Sequence, residues 1–105
     1  MDEINISPQL DLKLRELIYI LWKNEYFGFV ESAEDYVNCI YDFISKINKK
    51  PKYQCKNQKF GQYYSKFKMN SNTTFYVVFD NFGNKYLANT IFNNHEIGYE
   101  IYIRA

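Results

Sequence analysis

Eight lysines and no acidic residue lie between Phe43 and Phe79: Lys46, Lys49, Lys50, Lys52, Lys56, Lys59, Lys66 and Lys68. The block is interleaved with tyrosines and followed by strand-like sequence, a combination that suits a polyanionic partner. The same charge also suits a solvated loop docked on an acidic half of its own chain. Residues 1–42 hold nine acids against three bases, and residues 80–105 hold three against two, so a net charge of +1 hides a polarised molecule. Both uses of the lysines stay open at this level. The single histidine, His95, has an unperturbed pKa near neutrality and can serve as acid or base. It has no partner at metal-ligand spacing, so neither a metal nor a cofactor is expected. Cys39 and Cys55 lack CxxC or Cys/His spacing and read as reduced thiols of a cytoplasmic protein.

The frame that must hold these groups is small. A chain of 105 residues forms one domain, 1–105, and its 47% hydrophobic and 20% aromatic content excludes disorder. No apolar run approaches the roughly 18–20 residues of a membrane span, and no membrane partner is expected. The acidic start, Met1-Asp2-Glu3, does not read as a signal peptide.

Residues 3–7 alternate apolar and polar, which predicts a short strand. Ser7-Pro8 then marks a helix start, with Ser7 as N-cap and Pro8 at the first helical position. Leu10, Leu14, Leu17, Ile18 and Leu21 form one face of a helix to about Lys23. Ser32 and Asp35 have capping-box spacing for a second helix, whose face Ala33, Tyr36, Val37, Ile40, Phe43, Ile44 and Ile47 carry to about Asn48. A connection of about six residues predicts an antiparallel helical hairpin, and Pro51 stops it. Beyond the lysine-rich loop the period falls to two. Residues 62–69, 73–80 and 85–93 predict an antiparallel meander, turned at Asn70-Ser71-Asn72 and at Asp80–Asn84. Its middle strand puts Phe75, Val77 and Phe79 on one face and Thr74, Tyr76 and Val78 on the other. The expected fold is α+β in the order β-α-α-β-β-β, with the helices on one face of the sheet. Tyr64, Tyr76 and the strand lysines fall to the opposite face.

This order, read with its residues, resembles the RelE/ParE toxin superfamily of bacterial type II toxin–antitoxin systems. The likeness runs through Ile4–Pro8 with Leu10, Leu14 and Leu17, through Ser32–Val37, and through Ile47 to Pro51. It continues in the central strand Thr74–Phe79 and the closing Ile91-Phe-Asn-Asn-His95. It implies a toxin held by a cognate antitoxin that covers the sheet and hairpin, presenting acidic and apolar residues to Lys49–Lys68. One branch consists of ribosome-dependent mRNA endonucleases, the other of DNA gyrase inhibitors without catalysis.

For the endonuclease branch the resemblance assigns roles by position. RNA cleavage by its own 2′-hydroxyl needs a base for that proton, cations for the phosphorane charge and an acid for the leaving oxygen. Lys66, His95 and Tyr99 would be the catalytic group, with Lys49, Lys50, Lys52, Lys56, Lys59 and Lys68 contacting the nucleic acid. Tyr99 or Tyr102 would stack on a nucleotide. Other features favour the gyrase branch, or a member that only binds a partner. The chain has two arginines, Arg15 and Arg104, and Glu96 follows His95 where a basic residue is common. Uncharged residues around Tyr76 and Val77 stand where an arginine is common, and lysine lacks arginine's bidentate geometry.

Overall fold

Ser7 joins the first strand to the first helix and ties both to the far end of the chain. A computed structural model describes residues 2–23 and 30–96. In it β1 (Glu3–Ile6) leads directly into α1 (Pro8–Lys23). The Ser7 hydroxyl accepts the Leu10 N–H at 3.1 Å, which caps the helix, and donates to the Asn89 carbonyl at 2.9 Å. Pro8, lacking an N–H, stands at the position where none is needed.

The second helix, α2, spans Val30–Ser45, and a 3-10 turn over Ile47–Lys49 follows it. Its bounds differ from those the spacing predicts. The helix starts before Ser32, which sits inside its first turn rather than capping it. It also ends at Ser45, with the tighter turn completing the run toward Pro51. Tyr41, late in α2, donates to the Asp11 carboxylate, early in α1, at 2.8 Å. The helices are therefore antiparallel, as the short connection predicts.

Among the described residues five strands form one sheet, one more than the four expected. After β1 come β2 (Tyr53–Gln54), β3 (Tyr63–Lys68), β4 (Thr74–Phe82) and β5 (Lys85–Asn93), in spatial order β1-β5-β4-β3-β2. β1 runs parallel to β5 and the remaining neighbours are antiparallel. The β4–β5 turn is shorter than Asp80–Asn84, because β4 continues to Phe82, which pairs with Lys85. Gly83 takes φ of +60° there, a conformation that glycine adopts without a Cβ clash.

The alternation of β4 divides the core in two. Phe75, Val77 and Phe79 face the helices and pack with Leu10, Leu14, Val37, Ile40, Ile44, Ala88 and Ile91. Tyr76 and Val78 face the other way, meeting Cys55, Tyr64, Phe60 and Phe92. The loop after β2 closes one end of that second face. Gly61 presses so near the sheet that a Cβ there would stand 2.8 Å from Val78 Cγ1 and 3.1 Å from the Phe79 carbonyl.

Beyond Ala88, β5 has no strand on its outer side among the described residues. Side chains engage that edge instead: Ser7 takes the Asn89 carbonyl, Lys13 the Ile91 carbonyl, and the Glu96 carboxylate accepts the Asn93 N–H. Occupied edge groups of this kind discourage unwanted strand pairing. Among the described residues no helix is long and apolar enough to cross a membrane.

Candidate nucleic-acid interface

Strand pairing, rather than sequence order, decides where each lysine goes. Pairing of β3 with β4 sets Tyr64 opposite Val78, Lys66 opposite Tyr76 and Lys68 opposite Thr74. All three β3 residues therefore project from the helix-free face. Pairing of β2 with β3 sets Tyr53 beside Tyr64, and their rings stack with centroids 5.4 Å apart. Tyr64 in turn meets Tyr76 edge-on at 6.0 Å. The Lys66 ammonium lies 4.8 Å from the Tyr53 ring centroid, and that of Lys59 lies 5.5 Å from the Phe60 ring. Phe60 packs edge-on against Phe92 at 5.7 Å. The helix-free face thus has an aromatic floor with lysines above it. Lys56, Lys59, Lys66 and Lys68 are all exposed.

The rest of the basic block is elsewhere. Lys50 lies over Phe43, whose ring stacks on Phe67 under the helices. Lys52 lies 4.4 Å from the Tyr63 centroid and bonds the Asn81 side chain at 3.1 Å. Lys49 ends the 3-10 turn just before them. Lys50 and Lys52 belong to the helix side, so the sequence block is split between two sides of the sheet. Pro51 and the short β2 lie at the division.

The described part of the acidic half does little to neutralise either group. Among the described residues the ion pairs are Lys13–Glu96, Arg15–Asp11 and Lys46–Asp42, and Lys46 alone comes from the block. Asp80 borders the open face, but it accepts the Gln62 N–H at 3.0 Å and the Asn89 amide at 2.9 Å. Beneath this border Cys55 is buried, and burial, helped by Asp80, pushes its thiol from 9.0 up to about 11. It is therefore an inert packing group at neutral pH. Cys39 is exposed on α2, and both thiols are free.

His95 sits apart from Lys66. It lies in the turn after β5, where a ring nitrogen bonds the Thr73 hydroxyl at 3.1 Å. It lines a cleft of about 560 Å³ with Leu17, Ile20, Tyr36 and Phe75, which is the helix side of the sheet. A second cleft of about 300 Å³ adjoins it, with Leu17, Ile20, Phe75 and Asn93 common to both. Lys66 and His95 therefore stand on opposite sides of the sheet, and these residues do not form one compact catalytic group. Tyr99 and Tyr102 lie outside the described residues. Among the described residues no cluster of three or more His, Cys, Asp or Glu could hold a metal ion.

Tyr53 is the member of this site that the sequence pattern does not single out. Its strand is two residues long, too short for any alternation to show. The signal for it is indirect: an aromatic between Lys52 and Lys56, two residues after Pro51. No protein-family model, curated protein or solved structure matches the chain.

Proposed function

We propose that the protein is a RelE/ParE-like toxin that acts on RNA through the helix-free face of its sheet. The observation that carries this reading is the aromatic floor of Tyr53, Tyr64 and Tyr76 under Lys66, flanked by Lys59 and Lys68. Ammonium groups spaced along a β-strand suit successive phosphates, and the exposed ring of Tyr53, backed by the buried Tyr64 and Tyr76, suits an unpaired base. The described acids leave these charges available. Such a face would engage ribosome-bound mRNA, with Lys66 and Lys68 stabilising negative charge at a phosphate. A cognate antitoxin with an acidic, apolar segment would neutralise the same face.

One observation favours a second reading. With His95 turned to the helix side, no histidine stands beside Lys66, so the face supports binding more directly than proton transfer. A ParE-like inhibitor that binds DNA gyrase without catalysis needs only a binding surface.

Induced expression in a bacterial host, with mapping of new mRNA 5′ ends, separates the two. Growth arrest with codon-phased cleavage that vanishes in Lys66→Ala supports the endonuclease. Arrest with intact mRNA and a DNA-damage response supports gyrase inhibition. No arrest overturns the toxin reading.

A further inference from the structure

We infer that Tyr53 is a stacking surface for a nucleobase of single-stranded RNA, and that Lys66 is held on its ring until a phosphate draws the ammonium away. The inference rests on the RNA reading above and names a residue and a ligand form for it.

Tyr53 is 43% exposed although it stacks on Tyr64 at an interplanar angle of 28°. Tyr64 is itself braced by Tyr76, so the exposed ring stands at the end of a row of packed rings rather than on a loose loop. No hydrogen bond among the described residues fixes its hydroxyl. The ring's place in the fold is therefore set by its faces. A two-residue edge strand gains little from an exposed tyrosine. The position instead offers a rigid aromatic surface at low entropic cost, which is what stacking requires.

Lys66 supplies the second half. Its ammonium, 4.8 Å from the ring centroid, makes a cation–π contact that is weak at an exposed site. A base and its phosphate arriving together replace that contact with two stronger ones: base on ring, and ammonium on phosphate. Lys68, two residues along the same strand and face, lies where a neighbouring phosphate would pass. A duplex cannot use this arrangement, because its bases are stacked on one another and present only edges.

The test measures binding of the intact protein to a short unstructured RNA, to the same RNA as a duplex, and to an abasic strand of equal length. Tyr53→Ala is expected to weaken binding of the base-bearing strand about five- to 150-fold and to leave the abasic strand unaffected. Tyr53→Phe should bind as the parent does, while Tyr53→Leu, which keeps apolar bulk without a π-face, should behave as Tyr53→Ala does. The salt dependence should be unchanged in Tyr53→Ala and shallower in Lys66→Ala. Equal loss on the abasic strand, tighter binding of the duplex, or indifference to Tyr53→Ala overturns the inference and leaves RNA binding standing. Failure of the parent protein to bind any of these RNAs overturns both.

Discussion

The two faces of the sheet are built from different chemistry, although β4 supplies both. Toward the helices it contributes Phe75, Val77 and Phe79 to a core closed by aliphatic residues of α1 and α2. Away from them it contributes Tyr76 and Val78 to a thin layer under one loop, where, among the described residues, rings and lysine stems stand in place of a covering element. The first face serves stability, since Phe75, Val77 and Phe79 are buried in the main core. The second keeps aromatic area and positive charge near solvent, an arrangement that stability alone does not require.

The largest expected effect tests the first half of that contrast. Phe79 is fully buried, and Phe79→Ala should destabilise the fold by about 3–5 kcal/mol, read from the denaturant midpoint. Tyr53→Ala on the other face should cost less than about 1 kcal/mol, as exposed substitutions do. Comparable losses at the two sites would erase the distinction.

Gly61 marks where the loop closes the second face, and Gly61→Ala should destabilise by roughly 1–3 kcal/mol. The nearest atoms to a new Cβ include the Phe79 carbonyl, which is backbone and cannot swing aside. A neutral result in thermal melting would mean that the loop is not seated as described.

Much of the fold is legible in the sequence because its signals are local. Ser7-Pro8 specifies a helix start through groups within three residues, and the alternation of β4 separates the two faces without knowledge of the neighbours. The capping-box reading at Ser32 fails because spacing alone does not say where the helix begins. The candidate site is less legible because its members meet through pairing. Lys66 reaches Tyr53 across the β2–β3 pairing, and a two-residue strand leaves no periodic trace. His95 is close in sequence to β5, yet the turn decides its side. The Asn94 amide carbonyl accepts the Thr74 N–H at 2.9 Å, and His95 bonds Thr73, which orients the imidazole toward the helices. Nothing in the spacing of Asn93, Asn94 and His95 encodes that choice.

Cys55 gives a gentler probe of the loop. Its thiol rises from 9.0 to about 11 in the fold, so the unfolded chain releases the proton first as pH increases. The stability linked to this group is complete below about pH 9 and declines as pH climbs toward 11. Urea melts across that window should show the decline, and Cys55→Ala should flatten part of it. In the folded protein iodoacetamide should modify Cys39 well before Cys55. Equal rates would place Cys55 in contact with solvent and open the second face at that end.

The smallest effect is the most discriminating for the division of the lysines. Lys50 and Lys52 carry the same charge as Lys66 and Lys68 but lie over Phe43 and Tyr63 on the helix side. If the open face alone meets RNA, Lys50→Ala with Lys52→Ala should lower affinity only slightly, through the weakened long-range field, and should leave the salt slope nearly unchanged. Lys66→Ala with Lys68→Ala should reduce that slope by about one for each phosphate that is no longer neutralised. Binding titrations at several salt concentrations read both quantities at once. Equal slopes for the two pairs would show that the block acts as one undivided charge, and the sheet would then contribute position but no selectivity.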